Sequence, residues 1–243
     1  MRAVTDHYSQ LLAPIYLWMA GGPQHAFDLG AADLAALQLT ARQGATTVDL
    51  GCGFGMHAIP LARLGFAVTA IDTSALLLTE LRRRGEGLGI RAIEDDLLDF
   101  ATHATTAPDL IVCMGDTLTH LSSPDEVALL CARVADSLAP DGRFVTAFRD
   151  YTSLARGDAR FIPVRSDADR MHTCFLEEDG ARVLVHDIVH ERQGPAWTLR
   201  ASHYPKLRLD PGLVVRCLES HGLHVAQGRG PRGMVQVCAA RSG

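Results

Sequence analysis

The residues that most clearly suggest chemistry are glycines at alternate positions after a short apolar run. Val48-Asp49-Leu50 is followed directly by Gly51-Cys52-Gly53-Phe54-Gly55. Glycine lets a backbone turn sharply and approach a ligand closely, and turns between a strand and a helix bind ligands in open parallel sheets. A nicotinamide-binding turn needs a glycine where this chain has Met56. The pattern therefore predicts a ligand site but counts against a dinucleotide.

Acidic residues follow the next two apolar runs. Asp72 closes the run Ala67–Ile71, and Asp96 follows the run Arg91–Ile93. A carboxylate that ends an apolar strand, as Asp49 also does, is costly to bury unless a ligand or a protein group pairs with it. Helix capping or simple solvation remains an alternative for each of the three acids. As ligand groups, they would accept hydrogen bonds from hydroxyl or ammonium groups.

This ordered set resembles the class I S-adenosylmethionine-dependent methyltransferases over roughly residues 46–150 and the end of the chain. The resemblance implies that Asp72 holds the ribose and Asp96 the adenine amino group, and that Leu138-Ala139-Pro140-Asp141-Gly142 stands for the family's LxPGG turn. It implies S-adenosyl-L-methionine as the cofactor and S-adenosyl-L-homocysteine as the product. The cofactor-binding residues are then Asp49, Gly51, Gly53, Gly55, Asp72, Thr73, Asp96, Leu97, Met114 and Tyr16.

The elements that must position these residues alternate between buried strands and helices. Apolar runs on both sides of helical patterns predict a parallel sheet in an α/β fold. After Arg149, four strand patterns follow without a helix, with a turn at Glu178-Asp179-Gly180. We therefore predict a Rossmann-like class I methyltransferase sheet with an antiparallel β insert after the fifth strand. The expected segments are an N-terminal helical lid (1–45), a cofactor-binding core (46–150), a substrate-side insert (151–208), and a closing helix and hairpin (209–243).

Candidates for substrate chemistry follow the fourth and fifth strands and lie in the lid. The segment around Asp116 and His120 is similar to one in glycine and sarcosine N-methyltransferases, where Asn stands in place of Asp116. Either side chain could act as a general base, although helix capping for Asp116 and ordinary packing for His120 stay open. The predicted substrate-binding residues are Arg149, Tyr151, Tyr8 and Trp18. For Tyr8 and Trp18, packing into the core is the alternative.

Composition excludes several classes of protein. The net charge of −5, with no basic run longer than Arg82-Arg83-Arg84, argues against nucleic acid. The apolar stretches are too short to cross a bilayer, and the N-terminus does not resemble a signal peptide, so we expect a cytoplasmic protein. The six cysteines form no CxxC pair and are interpreted as buried apolar residues. We expect no metal, since His186, Asp187 and His190 lack a third ligand in the pattern, and a homodimer stays open.

These observations predict methyl transfer to a nitrogen or oxygen nucleophile of a small molecule by in-line displacement. The positive residues of the insert, such as Arg160, Arg165 and Arg170, hint at an anionic substrate. Two alternatives remain: a nicotinamide-dependent oxidoreductase, and a module that binds S-adenosylmethionine without catalysis.

Overall fold

The computed structural model describes Val4 and residues 7–241, so the outermost residues of the predicted lid and closing hairpin lie outside the described residues. The strands are β1 (Thr46–Leu50), β2 (Ala67–Asp72), β3 (Arg91–Glu94), β4 (Leu110–Cys113), β5 (Arg143–Phe148), β6 (Phe161–Ser166), β7 (Arg170–Asp179), β8 (Arg182–Gln193), β9 (Ala196–Leu207), β10 (Leu223–Arg229) and β11 (Val235–Arg241). The α-helices are α1 (Tyr16–Met19), α2 (Pro23–Ala36), α3 (Ala58–Arg63), α4 (Ala75–Arg84), α5 (Pro124–Ser137) and α6 (Pro211–Ser220).

The central sheet has seven strands in the order β10-β11-β5-β4-β1-β2-β3. The five strands from β3 to β5 in this order are parallel, and β11 lies antiparallel between β5 and β10. Val48 and Leu50 of β1 pack toward one apolar cluster, which includes α5. The other face packs against α3 and α4. Because helices cover both faces, β4 is buried along its whole length, as its continuous apolar run predicts.

The insert forms a separate antiparallel sheet in the order β6-β7-β8-β9. Alternate residues of β8 are buried, because successive side chains of a strand point to opposite faces. Val183 and Val185 pack with Leu12, and Val189 packs with Leu11 and Ile15. The inner face of this sheet therefore covers the N-terminal helical segment, residues 7–19.

The predicted α/β fold, with its helical N-terminal region and antiparallel insert, is confirmed. The boundaries assigned to the four segments stay a prediction. Two 3₁₀ turns, Leu97–Thr102 and Thr117–His120, follow β3 and β4 and were not predicted, because turns this short leave no periodic pattern. Within the described part of the chain, none of the helices is long and apolar enough to cross a membrane.

Candidate functional site

A cavity of about 460 Å³ lies at the carboxyl ends of β1, β2, β3 and β4. Ligands bind at this edge of open α/β sheets because the connecting loops leave a crevice there. Eight residues of the predicted cofactor set line it: Gly51, Gly53, Asp72, Thr73, Asp96, Leu97, Met114 and Tyr16. Tyr8 and His120, predicted to act on the substrate, also line it. The structure thus brings together ten predicted residues that the sequence spreads from position 8 to position 120.

The glycine turn combines tight packing with an open position. Gly51 has a φ of +70°, and a Cβ there would come within 2.3 Å of the side chain of Thr117. Gly53 has a φ of +53°, but a Cβ there would meet only Leu77, at 3.8 Å. Since Gly53 and Leu77 both line the cavity, the absence of a side chain at Gly53 leaves room for a ligand against the backbone.

Asp72 is the best-positioned carboxylate of the site. Its Oδ2 accepts a hydrogen bond from the backbone N–H of Gly53 and its Oδ1 from that of Ser74, both at 2.8 Å. Burial raises the pKa of Asp72, and these two amides act in the opposite direction. Each carboxylate oxygen can accept a second bond, so the group can still receive two ligand hydroxyls.

Asp96 is held in a similar way at the end of β3. Its Oδ1 accepts from the backbone N–H of Leu98 at 2.9 Å, which caps the following 3₁₀ turn. Burial raises the pKa of its carboxyl group. The capping alternative and the ligand role are therefore compatible, because the same side chain caps the turn and lines the cavity.

Asp49 and Gly55 lie next to the cavity rather than in its lining. The carboxyl of Asp49 is buried beside the start of α3, and burial raises its pKa to about 6, opposed by His57 and by the amide of Ala58. Its Oδ2 has no hydrogen-bond partner among the described residues. The cofactor-binding roles of Asp49 and Gly55 stay predictions.

His120 lies where the N-terminal segment, the fourth strand and the insert meet. Its Nε2 is 3.5 Å from the hydroxyl of Tyr8, and its ring stacks on Tyr204 at 5.4 Å. Burial holds the pKa of His120 well below its usual value, helped by the positive charge of Lys206 and by His7. The imidazole is therefore neutral at pH 7. Tyr204 and Lys206 come from β9, and strand alternation alone did not mark them as site residues.

Asp116 does not line the cavity, and its surroundings argue against the predicted role as a base. Its Oδ1 accepts from the backbone N–H of Arg149 at 2.8 Å and the hydroxyl of Thr119 at 3.0 Å. Its Oδ2 accepts from the hydroxyl of Tyr151 at 2.9 Å and from the ammonium group of Lys206. Both oxygens are therefore occupied, and Asp116 is 4% exposed. The bond to Lys206 joins the end of β4 to the insert. Tyr151, expected to bind substrate, is buried in this network.

Arg149 and Trp18, two other predicted substrate ligands, also lie outside the cavity lining. The side chain of Arg149 is 54% exposed, with Nε 4.0 Å from Asp116 Oδ2. Trp18 donates its ring N–H to Asp167, and the guanidinium of Arg170 lies 4.9 Å from its ring centre. Trp18 therefore ties the helical segment to the turn between β6 and β7.

The cations of the insert do not reach the cavity. Arg165 and Arg170 lie over the ring of Trp18, and Arg160 lies over Phe175. Among the described residues, the cavity lining includes no arginine or lysine, and its charged members are acidic. These three arginines therefore do not support the expected anionic substrate directly, and the charge of the substrate stays a prediction.

Comparisons with known proteins agree with this geometry. Residues 47–142 match the family described as "Methyltransferase domain". The chain is 32% identical over 167 residues to the cypemycin N-terminal methyltransferase of a Streptomyces species, covering 66% of this chain and 64% of that protein. The chain therefore contains a methyltransferase domain at residues 47–142.

Two further proteins are similar to this chain. It is 32% identical over 143 residues to the ubiquinone biosynthesis O-methyltransferase of Xanthomonas oryzae, covering 57% of this chain and 58% of that protein. CalS10 of Micromonospora echinaspora, an amino pentose methyltransferase solved with S-adenosylmethionine bound, shares its fold with a TM-score of 0.72 at 18% identity, over 90% of this chain and 91% of that one. The matched segments span about three fifths of the two curated relatives.

The cofactor of this methyltransferase family, S-adenosyl-L-methionine, fits the residues present. Asp72 and Asp96 are carboxylates with acceptor capacity at the ends of β2 and β3, and Gly53 leaves room against the backbone. Tyr16 closes one side of the cavity and packs on Phe54, with ring centres 5.7 Å apart. These positions suit a ligand with a ribose and an adenine.

Replacing Asp72 tests the ribose assignment. We expect Asp72→Ala to weaken S-adenosylhomocysteine binding by about 1–3 kcal/mol, because charged hydrogen bonds to the ligand are lost. This corresponds to a dissociation constant roughly 5- to 150-fold higher, measured by calorimetry. Asp136→Ala, on the exposed side of α5, is the matched control and should leave the constant unchanged. An unchanged constant in a folded Asp72→Ala protein would place the ribose elsewhere.

Proposed function

We propose that this methyltransferase transfers a methyl group from S-adenosylmethionine to a nitrogen or oxygen atom of a small molecule. The observation that carries this proposal is the continuity of the cavity, which extends from Asp72 and Asp96 to the imidazole of His120. The curated relatives include one named an N-terminal methyltransferase and others named O-methyltransferases. A nitrogen or an oxygen nucleophile fits a neutral base at this position. We propose Tyr8 and His120 as the residues that meet the substrate.

The chemistry expected of His120 follows from its charge state. When bound, S-adenosylmethionine supplies an electrophilic methyl group, and the nucleophile must reach it without a proton on the attacking lone pair. A neutral imidazole can accept that proton from a hydroxyl or an ammonium group. His120 stays neutral because it is buried and close to Lys206, so it is available as a base throughout the neutral pH range.

Tyr8 and Tyr204 position this imidazole. The hydroxyl of Tyr8 approaches Nε2, and the ring of Tyr204 lies nearly parallel to the imidazole, at an interplanar angle of 16°. The two tyrosine rings also contact each other, with centres 5.9 Å apart. Because aromatic rings on two sides limit the entry of water, a reacting group beside His120 would be held in a partly dry space.

The nicotinamide-dependent alternative is not favoured by the site. A pyrophosphate would require close backbone approach at position 56, where Met56 lines the cavity. A binding module without catalysis would need no neutral base at the far end of the cavity, so a transfer assay separates it from an enzyme.

A labelling experiment tests the proposed activity. The protein would be incubated with S-adenosylmethionine carrying a labelled methyl group and with a metabolite extract, and the label would be traced by mass spectrometry. We expect the label in a small organic molecule, on nitrogen or oxygen, together with S-adenosylhomocysteine. If no molecule in the extracts accepts the label while the protein still binds the cofactor, the binding module would be favoured.

Calorimetry tests the ligand itself. We expect S-adenosylhomocysteine to bind with 1:1 stoichiometry and to raise the melting temperature, because a ligand that binds only the folded state stabilises it. NADH should do neither. The opposite result, with NADH bound and S-adenosylhomocysteine not, would contradict the proposal.

A further inference from the structure

A second group of chemically active side chains lies between the insert and the N-terminal segment, apart from the cavity. Asp187 of β8 is 1% exposed, and its Oδ1 lies 2.6 Å from His172 Nε2 and 2.9 Å from Cys174 Sγ. Its Oδ2 lies 2.8 Å from Nε2 of His7. Both histidines are 2% exposed. His172 and Cys174 therefore meet one carboxylate oxygen of Asp187, and His7 meets the other.

The set is suited in kind to a borderline-soft metal ion. Imidazole nitrogen, thiolate sulfur and carboxylate oxygen are the ligands that Zn²⁺ takes in proteins. One thiolate and one carboxylate would balance the charge of a divalent ion, so the buried site would be neutral. Without a cation, the carboxylate of Asp187 is a charge buried among neutral groups unless a histidine is protonated.

The separations of the donor atoms are close to those of a tetrahedral site. Bond lengths of about 2.0–2.3 Å to Zn²⁺ place neighbouring ligand atoms roughly 3.3–3.6 Å apart. His172 Nε2 and Cys174 Sγ are 3.8 Å apart, and the three donor atoms of His172, Cys174 and Asp187 all lie within 4.8 Å of one another. The distances from Asp187 Oδ1 to His172 Nε2 and to Cys174 Sγ are shorter than this. Each must increase by less than about 1 Å, which small side-chain rotations provide.

The second ring nitrogen, Nδ1, has no described protein partner in either His7 or His172. Nδ1 of His7 and Nδ1 of His172 are buried and have no hydrogen-bond partner among the described residues. Metal binding through Nε2 requires the lone pair on that atom and the proton on Nδ1. At His172 the proton must therefore leave Nε2, which ends its hydrogen bond to Asp187 Oδ1, and move to Nδ1, where no described protein group competes for it. His7 keeps its proton on Nε2 and donates it to Asp187 Oδ2.

We propose that His172, Cys174 and Asp187 bind one Zn²⁺ ion, with His7 as a positioning residue on the second oxygen of Asp187. Cys174 binds as the thiolate, and its proton passes to solvent. A water molecule takes the fourth position. His186 and His190 do not take part, because they point to the opposite face of β8 from Asp187, and His186 pairs with Glu177. The ion joins β7 and β8, and Asp187 links it to His7.

This site has a consequence for the neighbouring cavity. His7 packs against Tyr204, with ring centres 4.4 Å apart, and Tyr8 follows it directly. A metal that fixes Asp187 therefore fixes the segment that carries Tyr8 over the cavity. The inference rests on the cluster alone and does not depend on the proposed methyl transfer.

Cobalt binding tests the site through a signal that only a thiolate ligand produces. The full-length protein would be treated with a chelator, exchanged into metal-free buffer and titrated with Co²⁺, then with Zn²⁺ in competition. We expect one ion per chain, with a thiolate-to-cobalt charge-transfer band and the visible bands of a tetrahedral ion, both displaced by Zn²⁺. Zn²⁺ should also raise the melting temperature.

Two variants and a matched control make the result decisive. Cys174→Ala should lose the charge-transfer band, whereas Cys217→Ala, on α6 and outside the cluster, should keep it. His7→Gln should keep the band but weaken binding by about 10- to 100-fold, as expected for a residue that orients a ligand. Circular dichroism and S-adenosylhomocysteine binding confirm that each variant is folded. Three results would each overturn the proposal. They are cobalt binding without the thiolate band, a band that persists in Cys174→Ala, and the absence of stoichiometric cobalt binding.

Discussion

Replacing His120 with alanine should lower kcat by about 10²- to 10⁴-fold, the usual contribution of a positioned base. The reason is the location of its imidazole at the end of the cavity, beside the hydroxyl of Tyr8. The affinity for S-adenosylhomocysteine should barely change, because the base acts on the substrate. Steady-state kinetics with the substrate found by labelling would measure kcat and KM separately.

The pH dependence adds a second readout for His120. A base must be unprotonated, so activity is lost as the pH falls through its pKa, which lies well below the usual value. We therefore expect activity to persist below pH 6.5, the ordinary histidine pKa. His224→Ala, on the exposed edge strand β10, is the matched control and should leave kcat unchanged. A change in KM alone would assign His120 to substrate orientation instead.

Replacing Lys206 with methionine should lower the free energy of unfolding by about 3–5 kcal/mol, because it removes the buried ammonium group that contacts the carboxylate of Asp116 and leaves only the exposed Arg149 nearby. Lys206 is the only lysine of the sequence and is 6% exposed. A loss of this size lowers the melting temperature by roughly 6–20 °C in a chain of this length. Calorimetry or denaturant unfolding measures it.

Two further variants isolate the ion pair. Arg42→Met removes a surface ion pair with Asp109 and should cost less than about 1 kcal/mol. The double variant Asp116→Asn/Lys206→Met removes both buried charges and keeps an oxygen acceptor for the amide of Arg149, so it should be more stable than Lys206→Met alone. Equal stabilities of Lys206→Met and the parent protein would show that the pair contributes little.

The sequence was most informative where a residue's role depends on its own strand. Gly51, Gly53, Asp72 and Asp96 follow apolar runs, and the carboxyl ends of parallel strands meet at one edge of a sheet. Their arrival at one cavity was therefore predictable from order and spacing. The parallel core and the antiparallel insert were predictable for the same reason, since each strand pattern depends on neighbours a few residues away.

The roles of Asp116, Tyr151 and Trp18 could not be predicted from the order and spacing of residues. The partner of Asp116 is Lys206, 90 residues away, and nothing local to either residue indicates the pair. Likewise, Trp18 meets Asp167 across 149 residues. These contacts depend on how the insert packs on the core, which strand alternation does not specify.

The sequence by itself determined the sheet, the glycine turn and the carboxylates that suit the cofactor, because these follow from local hydrophobic periodicity and from the chirality of strand connections. Only the tertiary structure decided which polar residues face the cavity. It turned Asp116 toward Lys206, buried His120 so that its imidazole stays neutral, and brought His7, His172 and Cys174 to the carboxylate of Asp187. The physical reason is that burial and pairing of charges arise between elements far apart in the chain, and only their packing sets the distances between them.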